Sequence, residues 1–183
     1  RDGSIDWLCM PRFDSDACFA ALLGDSKNGR WLISPSKSAR KTSRRYRGDS
    51  LILETVFTTA TGSVRLLDFM PRNARSGTLV RLVEGLSGHV EMTTELVIRF
   101  DYGVTVPWMR RIDNKTHVAV AGPHLLALRT PADLHGQNMH SVADFRVRKG
   151  ERMPFVMSYS PSHLPVAAVI DADIALEETE KYW

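Results

Sequence analysis

The feature that most constrains this chain is the way its apolar residues are parcelled. Short β-branched and aliphatic runs recur along the 183 residues, and glycine-containing turns separate them. Leu51 to Thr59 and Val64 to Met70 flank Ala60-Thr61-Gly62-Ser63, and Thr78 to Glu84 and His89 to Arg99 flank Gly85-Leu86-Ser87-Gly88. Thr116 to Ala121 and Leu125 to Arg129 flank Gly122-Pro123, while Lys149-Gly150-Glu151 joins His140 to Arg148 with Met153 to Tyr159. Runs this short with turns this close predict hairpins. Helix signals are confined to the C-terminus and to Phe19-Ala20-Ala21-Leu22-Leu23, which Gly24 closes and which Asp14, Ser15 or Asp16 would cap. The regular strand–helix alternation of a parallel sheet is missing, so a mainly β, antiparallel sandwich is predicted.

The remaining segments fit that frame. Ser4 to Cys9 alternates polar with apolar as a half-buried strand with Ile5, Trp7 and Cys9 on one face, and Pro11 ends it. Gly29 to Ser34 predicts the next strand, and Arg129 to Met139 a polar surface loop. Residues 161 to 171 read as an extended connector, followed by a helix capped by Asp173 with Glu177 and Glu178 near its positive end and Lys181 four residues after Glu177. Asp2-Gly3 is a hairpin turn whose first strand is not in the sequence, and Tyr182-Trp183 ends a helix without a stop signal. Both ends are expected to continue into further protein.

Composition excludes several classes. A hydrophobic fraction of 43% with 25% charged residues is that of a globular domain, not of a disordered or coiled-coil chain. The longest uncharged run, Pro154 to Ile170, is broken by three prolines and cannot serve as a membrane helix. Cys9 and Cys18 stand outside any metal or redox spacing, which predicts reduced, buried thiols and a cytoplasmic setting. The net charge of +3 comes from Lys37, Arg40, Lys41, Arg44, Arg45 and Arg47. So local a basic run, with one aromatic residue, reads as a solvated loop and strand edge, and no nucleic-acid partner is expected.

Motifs of catalysis are missing. There is no nucleophile elbow, phosphate loop, dinucleotide fingerprint or HExxH helix, and the histidines are scattered, with His135 and His140 lacking a third ligand at metal spacing. Neither metal nor cofactor is expected. Carboxylates beside aromatics (Asp6, Asp14, Asp68, Asp101) raise the question of sugar chemistry, which needs paired acids near apolar faces. For Asp68 and Asp101 the simpler reading is an outward residue next to an inward one in a strand. Asp14 lies in the loop Pro11-Arg12-Phe13-Asp14-Ser15, where a charged pair flanks an aromatic ring.

These residues carry a resemblance. Asp2-Gly3-Ser4-Ile5-Asp6-Trp7-Leu8-Cys9-Met10-Pro11-Arg12-Phe13-Asp14-Ser15, followed by Phe19-Ala20-Ala21-Leu22-Leu23-Gly24, is similar to the N-terminal signature of bacterial and archaeal glycoside hydrolases of family fifteen, the glucoamylase, glucodextranase and trehalase-like enzymes. Arg45-Tyr46, Leu53-Glu54-Thr55, Leu67-Asp68-Phe69-Met70-Pro71, Leu79 to Gly85 and Arg99-Phe100-Asp101-Tyr102-Gly103 continue it in order. The resemblance implies a large antiparallel sandwich of the supersandwich, galactose-mutarotase-like kind over residues 1–171. It implies that residues 172–183 begin a helical linker to an (α/α)6 catalytic barrel holding both catalytic glutamates of an inverting mechanism. Implied partners are that barrel and an α-glucosidic oligosaccharide or trehalose. Arg12, Phe13 and Asp14 are then the candidate substrate-side contacts, and a sandwich face without its barrel is a candidate for self-association. Two other readings are kept: a free-standing carbohydrate-binding module using Trp31, Tyr102 or Trp108, and a small complete enzyme using Asp6 and Asp14.

Overall fold

A computed structural model describes residues 2–72 and 77–183 and gives a mainly β, antiparallel sandwich. The chain opens with β1 (Ser4–Ile5), β2 (Trp7–Cys9) and β3 (Ala17–Ala20), then β4 (Arg30–Pro35), β5 (Lys41–Tyr46), β6 (Leu53–Thr58) and β7 (Gly62–Phe69). The long strand β8 (Thr78–Val97) and a short turn, α1 (Phe100–Gly103), lead to β9 (Trp108–Arg111), β10 (Thr116–Ala121) and β11 (His124–Arg129). β12 (His135–Gln137), β13 (His140–Arg148), β14 (Arg152–Pro161) and the helix α2 (Ala172–Tyr182) complete it.

β8 belongs to both layers. Its first half pairs with β7 and β14 inside the order β5-β6-β7-β8-β14-β11-β10-β9, and its second half pairs with β4 and β13, which carry β1 and β12. The expected hairpin around Gly85-Leu86-Ser87-Gly88 is therefore corrected: one strand of 20 residues runs through it. Leu86 is the extra residue of a bulge, since Ser63 faces Ser87 while Val64 faces Gly85. The glycines are there for close approach. A Cβ on Gly85 would lie 1.9 Å from the Arg148 carbonyl oxygen, and one on Gly88, at φ +56°, 2.1 Å from that of Thr61.

Alternation along β8 fills two cores. Leu79, Val83, Val90, Met92 and Leu96 face the space between the layers with Trp31, Phe57, Leu66, Phe155 and Met157. Val80 and Leu82 point the other way, onto a second core with Leu67, Phe69 and Val156 that Ala172, Ala175 and Leu176 of α2 cover. These helix positions, with buried Thr179, follow the three-and-four spacing of one face. The cap is Asp171 rather than Asp173: its carboxylate accepts the N–H groups of Asp173 and Ile174 at 2.9 and 3.1 Å. Asp173 instead receives Arg152 at 2.6 Å.

Further expectations need correction. Ser4 to Cys9 breaks at Asp6, because β1 pairs with β4 and β2 with β3; Leu8 turns inward and Trp7 outward. Phe19 and Ala20 close β3, and only Ala21–Leu23 make a 3-10 turn, which no side chain caps. Residues 129–139 hold β12 and bury Ala132 and Leu134. Asp101 lies in the α1 turn, and Asp68 is no outward acid, since it pairs with a buried arginine. The basic run matches its expectation: all of β5 is exposed on a sheet edge. Cys9 and Cys18 are both free thiols; Cys18 is buried, and its burial pushes the thiol up to about 12.

Arg81 of β8 is 0% exposed. Its Nε donates to Asp68 Oδ1 at 2.8 Å, Nη1 to the Trp31 carbonyl at 2.6 Å and Nη2 to the Gly3 carbonyl at 2.6 Å. The guanidinium also lies 5.0 Å from the Trp31 ring centroid. One fork thus joins β7, β4 and the N-terminal segment. Glu95, on the outer side of β8, plays the corresponding part in the other layer, accepting from Arg30 of β4 and sitting 2.9 Å from His140 Nδ1. Burial alone pushes its carboxyl up, but the bonds from Arg30 and His140 outweigh this and hold it below the ordinary range.

Two outcomes follow. Arg81→Leu leaves the Asp68 carboxylate without its cation and takes one bond from each of the Trp31 and Gly3 carbonyls, and should cost roughly 3–5 kcal/mol in denaturant unfolding; a loss under about 1 kcal/mol would refute the fork's role. Glu95 has a folded pKa below its unfolded one, so it binds fewer protons folded than unfolded. Its contribution is complete above the unfolded value of about 4.3 and disappears as pH falls through the lower folded value. Urea midpoints taken from pH 6 downward should fall less steeply in Glu95→Gln than in the wild type, and parallel curves would contradict the assignment.

Candidate functional site

The loop singled out by the sequence is a constructed turn. Buried Met10 anchors its root against Gly77, where a Cβ would lie 2.7 Å from Met10 Sδ and 2.8 Å from the Pro11 oxygen. The Ser15 N–H donates to the Arg12 carbonyl at 3.1 Å, and the Arg12 N–H to Ser15 Oγ at 3.3 Å. Arg12 then forks Asp14, Nε to Oδ1 at 2.9 Å and Nη2 to Oδ2 at 2.7 Å. An exposed pair of this kind adds only about 0–1 kcal/mol, so its effect is on shape. Between the paired residues Phe13 stands 92% exposed. The three candidates Arg12, Phe13 and Asp14 thus form one unit, in which a closed ion pair holds up an apolar ring.

Trp7 and Tyr102 meet on the flank of β2, with ring centroids 6.1 Å apart and both rings partly exposed. Tyr102 reaches this place through two consecutive left-handed residues, Asp101 (φ 52°) and Tyr102 (φ 58°), followed by Gly103 at φ 97°. Such conformations cost on the order of 1–2 kcal/mol per non-glycine residue. The turn is closed by reciprocal backbone bonds between Phe100 and Thr105 at 2.9 and 3.0 Å and by the Thr105 hydroxyl on the Asp101 carboxylate. Beneath it Phe100 stacks on His124, itself 3.1 Å from the Tyr159 hydroxyl. The Tyr102 phenol is pushed above its ordinary range by desolvation first, and also by the charge and hydrogen bond of Asp16. The arrangement offers an aromatic shelf with a carboxylate at its edge, a shape suited to the apolar face and hydroxyl rim of another molecule.

The other candidates separate. Trp31 is 0% exposed and donates its Nε1–H to Thr94 Oγ1 at 3.1 Å, so it cannot be a sugar platform; Tyr102 and Trp108 are both exposed. Asp6 accepts the Ser4 hydroxyl at 2.5 Å and Asp14 is taken by Arg12, so each carboxylate is engaged by its own neighbour. Among the described residues no cluster of histidine, cysteine, aspartate and glutamate is able to hold a metal ion. No helix among them is long and apolar enough to cross a membrane. Sequence reasoning placed Trp7 inside the sheet and missed the shelf. The signal was present in Leu8, an apolar residue where the alternation calls for a polar one.

Residues 1–166 match the family described as trehalase-like, N-terminal. The chain is 36% identical over 104 residues to Trehalase 2 of Sulfolobus acidocaldarius, a match covering 57% of this chain and 17% of that protein. It is 34% identical over 126 residues to a trehalase of Mycolicibacterium smegmatis, covering 58% of this chain and 19% of the relative. With a trehalase of Thermoplasma volcanium the match takes in the whole chain at 25% identity over 190 aligned positions, 30% of that protein. The chain spans less than a third of the length of these curated relatives. With its antiparallel sandwich and its opening motif, this chain belongs to the trehalase-like N-terminal domain family.

Proposed function

We propose that this is the non-catalytic N-terminal sandwich of an inverting α-glucoside hydrolase acting on trehalose or a related α-glucoside. Residues 1–171 form the sandwich, and residues 172–183 begin the linker to an (α/α)6 catalytic barrel. The sandwich packs on that barrel, supports it, and lends the turn Pro11 to Ser15 to the rim of its active site. The relatives carry the printed name trehalase and are several times longer, which supports the division of labour.

The observation that carries the reading is the turn itself. A ring as exposed as Phe13 gains nothing for the sandwich, yet Arg12, Asp14 and Ser15 are spent on holding it out. Pre-ordered loops of this kind lower the entropy of meeting a partner surface. In the full-length protein, Arg12→Ala with Asp14→Ala should reduce kcat/KM for trehalose by about ten- to a hundredfold through lost positioning. Unchanged kinetics at unchanged thermal stability would sink the rim assignment.

The rival reading, a free-standing carbohydrate-binding module, draws on the Trp7–Tyr102 shelf and exposed Trp108. Calorimetric titration of the 183-residue chain with maltose, trehalose and dextran oligomers separates the two. The non-catalytic domain should give no saturable heat up to about millimolar sugar, whereas micromolar binding of any of them would favour the module.

A further inference from the structure

Just past the end of β8, Arg99 is a buried cation with no carboxylate paired to it among the described residues. It is 8% exposed, and among the described residues its side chain makes one hydrogen bond, from Nη1 to the Ile98 carbonyl at 2.7 Å. Desolvation pulls its pKa below the ordinary guanidinium value, and no carboxylate among the described residues offsets that. The acids nearest in sequence are engaged elsewhere, Asp101 by the Thr105 hydroxyl and Glu95 by Arg30 and His140. A guanidinium has five N–H donors, so most of this one's capacity is unused. It lines a cavity of about 250 Å³ whose other walls include Leu96, Val106, Trp108, Met109, Met139 and Ser141. A buried, unpaired charge is costly, and an incoming acceptor offsets that cost.

The rim tells which kind of molecule brings the acceptor. Val106, Trp108 and Met139 of the cavity wall are exposed, Trp108 at 77% and Met139 at 69%, and Val104, just before them in the chain, is 80% exposed. An exposed apolar patch beside a buried cation marks an interaction surface. Arg110 of the edge strand β9 follows directly and is exposed, while Arg111 is tied to Asp113, Asn114 and Asp133, so Arg110 is the charge on this margin that favours an acidic partner. We propose that the Arg99 cavity is a carboxylate socket, filled in the full-length enzyme by an aspartate or glutamate side chain from outside the sandwich. The socket rests on the reading of this chain as a domain that packs against a larger catalytic body.

The probe is sodium butyrate, a carboxylate on a short aliphatic stem, with n-butylamine as control. The 183-residue chain is labelled with 5-fluorotryptophan, and the Trp108 resonance is assigned through Trp108→Phe. Butyrate should shift that resonance saturably and butylamine should not. Arg99→Met should weaken binding by at least about tenfold, and Arg99→Lys, which keeps the charge without the fork, should weaken it less. If Arg99→Met loses the dispersed fluorine spectrum of a folded chain, Arg99→Lys and Arg99→Gln carry the comparison. A shift that is absent, or independent of residue 99, overturns the socket. In the full-length protein the Trp108 resonance should start at its bound position and ignore butyrate; a response equal to that of the isolated chain overturns the filling by a protein side chain. Trehalose hydrolysis by the full-length protein is scored separately. Its absence would sink the proposed function and leave the butyrate result standing.

Discussion

The guanidinium of Arg81 sits where the two layers and the N-terminal segment converge. Its fork takes the Asp68 carboxylate on one side and the carbonyls of Trp31 and Gly3 on the other. An apolar residue of the same size would leave the Asp68 carboxylate without its cation and each carbonyl one bond short, Gly3 keeping the Ile33 N–H at 3.1 Å. The charge is tolerated because every contact is directional and because the Trp31 ring covers its face. The position of Gly3 is thereby tied to the core, and with it the strand that leads to the exposed turn.

This coupling explains how a surface feature acquires definition. From Gly3 the chain passes through β1 on β4, breaks at Asp6, and continues as β2 on β3, which puts Trp7 outside and Leu8 inside. Met10 then seats the turn on Gly77, and the Arg12–Asp14 pair holds Phe13 outward. Each step is fixed by the one before it. The left-handed turn at Asp101 and Tyr102 arrives from the end of β8, the same strand that bears Arg81, so the shelf and the turn share one frame.

Much of this was legible in the residues, and the failures have physical causes. The strands β6, β7, β10, β11, β13 and β14 were read from alternation and turn residues, and the opening motif led to the family. Gly85 and Gly88 were misread because glycine serves two purposes, sharp reversal and close backbone approach. The atoms that decide between them belong to Arg148 and Thr61, remote in sequence. Phe19-Ala20-Ala21-Leu22-Leu23 has helical composition, yet tertiary pairing with β2 draws its first half into a strand. Trp31 looked like a sugar platform because an aromatic residue carries the same letter inside a core or on a surface. Arg99 escaped notice for a similar reason: nothing in a sequence marks an arginine as lacking its carboxylate.

The eight-strand path of the larger layer ends in two very different borders. At β5 the outermost residues are Lys41, Arg44 and Arg45, all solvated, and a second copy approaching there would bring like charges into register. At β9 the border carries Trp108 and Met109 beside its arginines. The two borders therefore differ in kind: one offers an approaching strand charge and hydroxyl, the other sets an indole and a thioether beside its guanidinium groups. The cationic margin is protected against edge-to-edge pairing by repulsion, and that protection weakens as salt screens it.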